Sequence, residues 1–172
     1  MWMLYAGLGL LVVALLLFWV SAARRRSAGL PGGRVIYTDM RGWGPVEKPL
    51  FDPSLGLIGK PDYIVEQNGR FIPVEVKTGR TPDAPYDSHI FQLAAYCHLV
   101  EKAYGKRPPH GFIHYPNRDF SVDYTPELES ALLDLVADLR VDERRTEVPR
   151  SHDQGNRCRG CGFRRNCDER LA

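Results

Sequence analysis

Asp62, Glu75 and Lys77 are the residues whose types and spacing could do chemistry. Two carboxylates offer hard oxygen ligands to a cation such as Mg2+, and a positive group beside them stands near an attacking water, the ingredients of a hydrolytic metal site. All three lie in GKPDYIVEQNGRFIPVEVKTG, which reads as two strands joined by a tight turn. Ile64 and Val65 precede the Asn68-Gly69 turn signal, and Phe71, Ile72, Val74 and Val76 follow it. Side chains alternate faces along a strand, so Glu75 and Lys77 are expected to project together while Val74 and Val76 face the core. Pairing of the two strands then brings Asp62 beside Glu75 on one exposed surface.

The elements that must hold these groups follow from the rest of the chain. At 172 residues it is long enough for one domain with a sizeable core. A net charge of +2 is too mild to announce a nucleic-acid partner. Val35 to Thr38 is expected to be a first short strand, and the Gly- and Pro-rich residues 39–60 a loop. After the hairpin, Ile90, Leu93, Ala94, Cys97 and Val100 form a helical apolar stripe. Phe112 to Tyr115 and Phe120 to Tyr124 read as two further strands. Thr125 then caps a helix with Pro126 in its first turn, and Leu128, Leu132, Leu135, Val136 and Leu139 make its expected buried face. Hairpin, helix, hairpin, helix predicts an α/β or α+β layer with the sheet at its centre.

The N-terminus has a different character. Met3 to Val20 is almost wholly apolar, just long enough as a helix to cross a hydrocarbon core of ~30 Å. Trp2, Tyr5 and Trp19 sit at its ends, and Arg24, Arg25 and Arg26 follow. Aromatic ends and trailing arginines predict a single-pass anchor in the inner (cytoplasmic) membrane, with the remaining chain facing the cytoplasm. A cleaved signal peptide and a buried hydrophobic helix are the alternatives; the first wants positive charge ahead of the apolar run, and there is none. The expected organisation is thus an anchor over 1–23, a basic and Gly/Pro linker over 24–34, and a domain over 35–172.

At the other end, Cys158-x-x-Cys161 followed by Cys167 has the close thiolate spacing that iron–sulfur clusters and zinc both use. His152 could complete a Cys3His zinc site. Cys97, on the apolar stripe of its helix, reads as core filling.

Pro61-Asp62…Glu75-Val76-Lys77 resembles the signature of the PD-(D/E)XK nuclease superfamily. The surroundings are similar to its RecB-type branch, which includes the CRISPR-associated RecB-like exonucleases. Those proteins continue with a helix carrying Gln-x-x-x-Tyr, matched by Gln92 and Tyr96 in HIFQLAAYCHLV, and often end in a cysteine cluster, matched at about 150–172. The resemblance implies a restriction-endonuclease-like fold, a central mixed sheet flanked by helices. It implies that Asp62, Glu75 and the Val76 carbonyl bind Mg2+ or Mn2+, that Lys77 orients or helps deprotonate the attacking water, and that Gln92 and Tyr96 lie beside the metal. Asp87, ahead of Gln92, also fits the pattern. The expected activity is hydrolysis of DNA phosphodiesters by an exonuclease, with a non-catalytic nucleic-acid-binding or assembly module as the alternative. It further implies a 4Fe–4S cluster at Cys158, Cys161 and Cys167, zinc being the alternative. Two features depart from the family. The fourth cluster cysteine, usually near the domain's N-terminus, is absent, and no histidine precedes His89, leaving Glu47 and Asp39 as the upstream acids.

Overall fold

The computed structural model describes residues 48–171 throughout, the backbone of Arg34–Thr38, and, before these, only Gly7, Gly9, Leu11, Val12, Val13, Leu15 and Leu16. Five strands make one sheet: β1 (Arg34–Thr38), β4 (Tyr63–Gln67), β5 (Arg70–Val76), β6 (His110–Tyr115) and β7 (Arg118–Asp123), in the order β1-β4-β5-β6-β7. Only β5 and β6 run parallel, so the sheet is mixed. The crossover between them is α1 (Asp87–Tyr104), as a parallel connection demands. This is the α/β, restriction-endonuclease-like arrangement expected from the sequence.

The β4–β5 hairpin turns at Asn68 and Gly69, both at positive φ (52° and 71°), the conformation an Asn-Gly pair adopts at least cost. Its register pairs Tyr63 with Val74 and Gln67 with Arg70. Tyr63, Val65 and Val74 pack together on one face of the sheet with Val76 and Phe112. The opposite face carries Ile64 against Val100 of α1, and Ile113 and Tyr115 against Leu93 of α1. Pro73 stands just ahead of the stretch of β5 that pairs with β6, which begins at Val74.

Residues 48–60 are not the expected loop. A small separate hairpin forms there, β2 (Leu50–Asp52) with β3 (Leu57–Gly59), and it packs on α1. Its strands are three residues each, too short to show period-two alternation. A buried polar contact ties it down: Asp52 Oδ2 accepts from His98 Nε2 at 2.8 Å, while Oδ1 accepts from the Ser54 hydroxyl at 2.6 Å and the Ser54 amide at 2.9 Å. These bonds, the Ser54 hydroxyl first and the His98 ring next, hold the Asp52 carboxyl well below the usual carboxylate range.

By its internal contacts the chain divides into two compact units, Met1–Leu133 and Asp134–Ala172. The second contains the end of α2 (Pro126–Asp142) and the short α3 (Gly155–Gly160). The α2 start is as expected, the Leu128 amide donating to Thr125 Oγ1 at 3.2 Å. Its buried face is narrower than expected: Leu132 and Val136 are buried, but Leu135 and Leu139 are 41% and 54% exposed.

The expected membrane placement does not hold. Crossing ~30 Å of hydrocarbon takes about 20 residues of apolar helix, and among the described residues no helix is long and apolar enough. The 18 residues of α1 include Asp87, Glu101 and Lys102, and the 17 of α2 are charged along their length. Trp2, Tyr5, Trp19, Arg24–Arg26 and the linker lie outside the described residues, as do Asp39 and Glu47.

Helix α1 packs tightly on the sheet at Gly111, where an added Cβ would stand 2.8 Å from Leu93 Cγ and Cδ1. Leu93 is fully buried and has nowhere to go. Gly111→Ala is therefore expected to destabilise the protein by about 1–3 kcal/mol, the usual cost of overpacking, read as a lower urea midpoint at unchanged slope.

Candidate active site

The register of the first hairpin, continued one residue past Tyr63↔Val74, sets Asp62 opposite Glu75. Asp62 is fixed there by its own carboxylate, Oδ2 accepting from the Val76 amide at 2.7 Å. Glu75 and Lys77, two apart on one strand, share the face that α1 covers. Lys77 Nζ donates to Glu75 Oε1 at 2.9 Å and to Gln92 Oε1 at 2.7 Å. Gln92 Nε2 completes the ring, donating to Glu75 Oε1 at 3.0 Å and to the Tyr96 hydroxyl at 2.9 Å. Gln92 and Tyr96, one helical turn apart, thus present to the same side of α1.

The five side chains singled out in the sequence, Asp62, Glu75, Lys77, Gln92 and Tyr96, are brought together, with Val76 between the two strand groups. One expectation needs correction. The carboxylates were expected on an exposed surface, yet Glu75 is only 7% exposed, because α1 lies over it. Burial pushes its carboxyl above the ordinary glutamate range, and the neighbouring Asp62 charge reinforces this against the pull of Lys77. Asp87 begins α1 and is exposed.

The donor set fits a hard divalent cation. A buried carboxyl whose proton affinity is raised, facing a second carboxylate, is a place where positive charge is wanted. One or two carboxylates, with the remaining positions left to water and substrate phosphate, is the usual Mg2+ pattern. Among the described residues, no three His, Cys, Asp or Glu side chains gather here as a fuller cage.

Beside the cluster, Val76, Lys77, Thr78, Gly79, Arg80, Tyr86, His89 and Tyr115 wall an open cavity of about 380 Å3. Of these, only Val76 and Lys77 carried a role in the sequence reading. The others escaped it because they come from the loop after β5, the start of α1 and the end of β6, which no local spacing links.

The cysteines behave differently. In the second unit Cys158, Cys161, Cys167 and His152 line one cavity of about 480 Å3. Among the described residues no three such side chains stand close enough to hold a metal ion. Cys158, inside α3, is buried, and its sulfur accepts from the Leu171 amide at 3.4 Å. Cys161 follows the helix in extended backbone and is exposed. Cys97 is 1% exposed in α1, where burial pushes its thiol far up and keeps it protonated, as its core-filling reading requires.

Comparison with known proteins agrees with the geometry. A family model for the PD-(D/E)XK nuclease superfamily matches residues 13–168. The CRISPR-associated exonuclease Cas4 of Francisella tularensis subsp. novicida is 25% identical over 114 residues, 66% of this chain and 57% of that protein. The CRISPR-associated exonuclease Cas4/endonuclease Cas1 fusion of Myxococcus xanthus is 28% identical over 156 residues, 86% of this chain and 28% of that protein. The chain therefore spans little more than half of the first relative's length and under a third of the second's.

The raised Glu75 carboxyl carries a stability consequence. Its folded value lies above the unfolded ~4.3, so the ionised group subtracts stability at high pH, and the deficit fades as pH falls through the folded value. Metal-free Glu75→Gln is expected to melt above wild type at pH 8, by about 2–4 °C, the shift roughly 1 kcal/mol gives in a protein of this size. The gap should narrow toward pH 5 in calorimetric scans; a gap that widens on acidification would contradict the assignment.

Proposed function

The chain belongs to the PD-(D/E)XK nuclease superfamily, in its RecB-like, Cas4-like branch, and from that premise we propose that it is a Mg2+- or Mn2+-dependent exonuclease acting on DNA. The observation that carries this reading is the ring Glu75–Lys77–Gln92, closed by hydrogen bonds of 2.7–3.0 Å, with Asp62 fixed beside it by the Val76 amide at 2.7 Å.

Asp62 and Glu75, with the Val76 carbonyl, would hold the divalent cation, which when bound polarises a phosphoryl oxygen and acidifies water. The chain's own groups do the rest. Lys77 orients the attacking water and offsets charge growing on the phosphate. Gln92 accepts from Lys77 and donates to Glu75, so it sets where both point, and Tyr96 steadies Gln92. The water gives up a proton to the surrounding solvent as its oxygen bonds to phosphorus and the bond to the 3′ oxygen breaks. A 5′-phosphate remains, and the departing 3′ oxygen takes up a proton to leave as a hydroxyl. Preorganisation by a hydrogen-bonded ring is what makes such positioning effective.

A non-catalytic nucleic-acid-binding module is the second reading, favoured by one observation: only two carboxylates stand at the site among the described residues. Cleavage separates the two. With labelled DNA and Mg2+ or Mn2+, the wild type should cut, EDTA should stop it, and Glu75→Ala and Lys77→Ala should each lose roughly 100-fold or more. A folded wild type that binds DNA but leaves it intact would establish the binding module instead. Cutting unaltered in both variants would move the site elsewhere.

A further inference from the structure

The cavity next to Lys77 has a composition that the hydrolytic ring does not use. Its volume, about 380 Å3, falls within the roughly 300–1,000 Å3 typical of sites for small organic ligands. Lys77 belongs to both, so whatever occupies the cavity adjoins the reacting phosphate.

Three features of its walls point to one ligand chemistry. Arg80, exposed in the loop after β5, makes no hydrogen bond or ion pair among the described residues, which leaves a guanidinium fork open to a phosphate. Tyr86 is 55% exposed at the mouth of the cavity. A single exposed tyrosine is commonplace, but this one is braced: the His89 ring meets it edge-on at 5.4 Å between centroids. His89 is braced in turn, its Nδ1 2.6 Å from the Tyr115 hydroxyl. The loop is also tied down from β7, Arg118 Nη1 donating to the Asp83 carbonyl at 3.2 Å. An aromatic face held in place beside an open guanidinium is a stacking platform with a phosphate contact.

We propose that this cavity seats an unstacked nucleotide next to the scissile phosphodiester, its base on the Tyr86 ring and its phosphate at Arg80. It rests on the nuclease reading and deepens it: a base can lie on Tyr86 only when it has left its own stack.

The test is fluorescence anisotropy of the full chain with a labelled oligothymidylate in EDTA, alongside cleavage of the same strand in Mn2+. Tyr86→Ala should weaken binding about tenfold, the scale of one lost base–aromatic stack, and Tyr86→Trp should restore it. Arg80→Gln should weaken binding and flatten the dependence of log affinity on log salt by about 0.7, one single-strand phosphate contact. A blunt duplex of the same length should bind more weakly and be indifferent to Tyr86→Ala. Wild-type binding in folded Tyr86→Ala and Arg80→Gln, with cleavage intact, would overturn the pocket and leave the nuclease standing. Binding that is sensitive to both variants, without cleavage, would keep the pocket and overturn the nuclease. A chain that neither binds nor cuts overturns both.

Discussion

Glu75 lies buried under a helix beside a second carboxylate, Asp62, an arrangement that costs solvation and sets like charges together, and the sheet holds them there nonetheless. The antiparallel register of β4 and β5 sets Asp62 opposite Glu75, and that register is fixed by the Asn68-Gly69 turn at one end and by the Tyr63, Val65 and Val74 packing on the far face. A slip of one residue would send every side chain of the strand to the other face. The arrangement is made tolerable by donors: the Val76 amide on Asp62, and Lys77 and Gln92 on Glu75. What remains uncompensated is the negative charge that a divalent cation would neutralise. Stability is given up locally where the buried Glu75 carboxyl meets Asp62, a trade seen where function needs groups that folding alone would separate.

The helix is the second half of this device. α1 is anchored to the sheet by Leu93 and Val100, and to the β2–β3 hairpin through the Asp52–His98 contact. Close approach is permitted by glycines: an added Cβ at Gly111 would meet Leu93, and one at Gly59 would stand 2.7 Å from Leu99 and 2.9 Å from Tyr96. The rotation of α1 thus brings Gln92 and Tyr96 over Glu75, and the same helix begins at the edge of the cavity lined by Tyr86 and His89. One rigid element positions both the groups around Glu75 and those that line the neighbouring cavity.

How much of this was legible in the sequence depends on how local each feature is. The β4–β5 hairpin was legible because its turn, alternation and functional residues fall within about twenty consecutive residues, and Gln92 and Tyr96 because helical spacing places them on one side. The burial of Glu75 was not, since it depends on a helix crossing back over the strand. The β2–β3 hairpin was hidden by its shortness and by Gly and Pro, which read as loop. Leu135 and Leu139 looked buried by spacing alone, but apolar spacing does not say how wide a face the neighbours cover. The cavity of Arg80, Tyr86, His89 and Tyr115 was invisible because it joins three segments. At the cysteines the spacing was read correctly as close in sequence, yet α3 turns Cys158 inward and leaves Cys161 outside.

The central claim is that Asp62 and Glu75 together form a divalent-cation site. Titration of the full chain with Mn2+, following the free ion by its electron paramagnetic resonance signal, tests it without relying on turnover. Wild type should remove Mn2+ from solution at a site that Asp62→Asn weakens at least about tenfold, the scale of losing one ligand contact, while the variant remains folded. Equal Mn2+ uptake by wild type and Asp62→Asn would contradict the account.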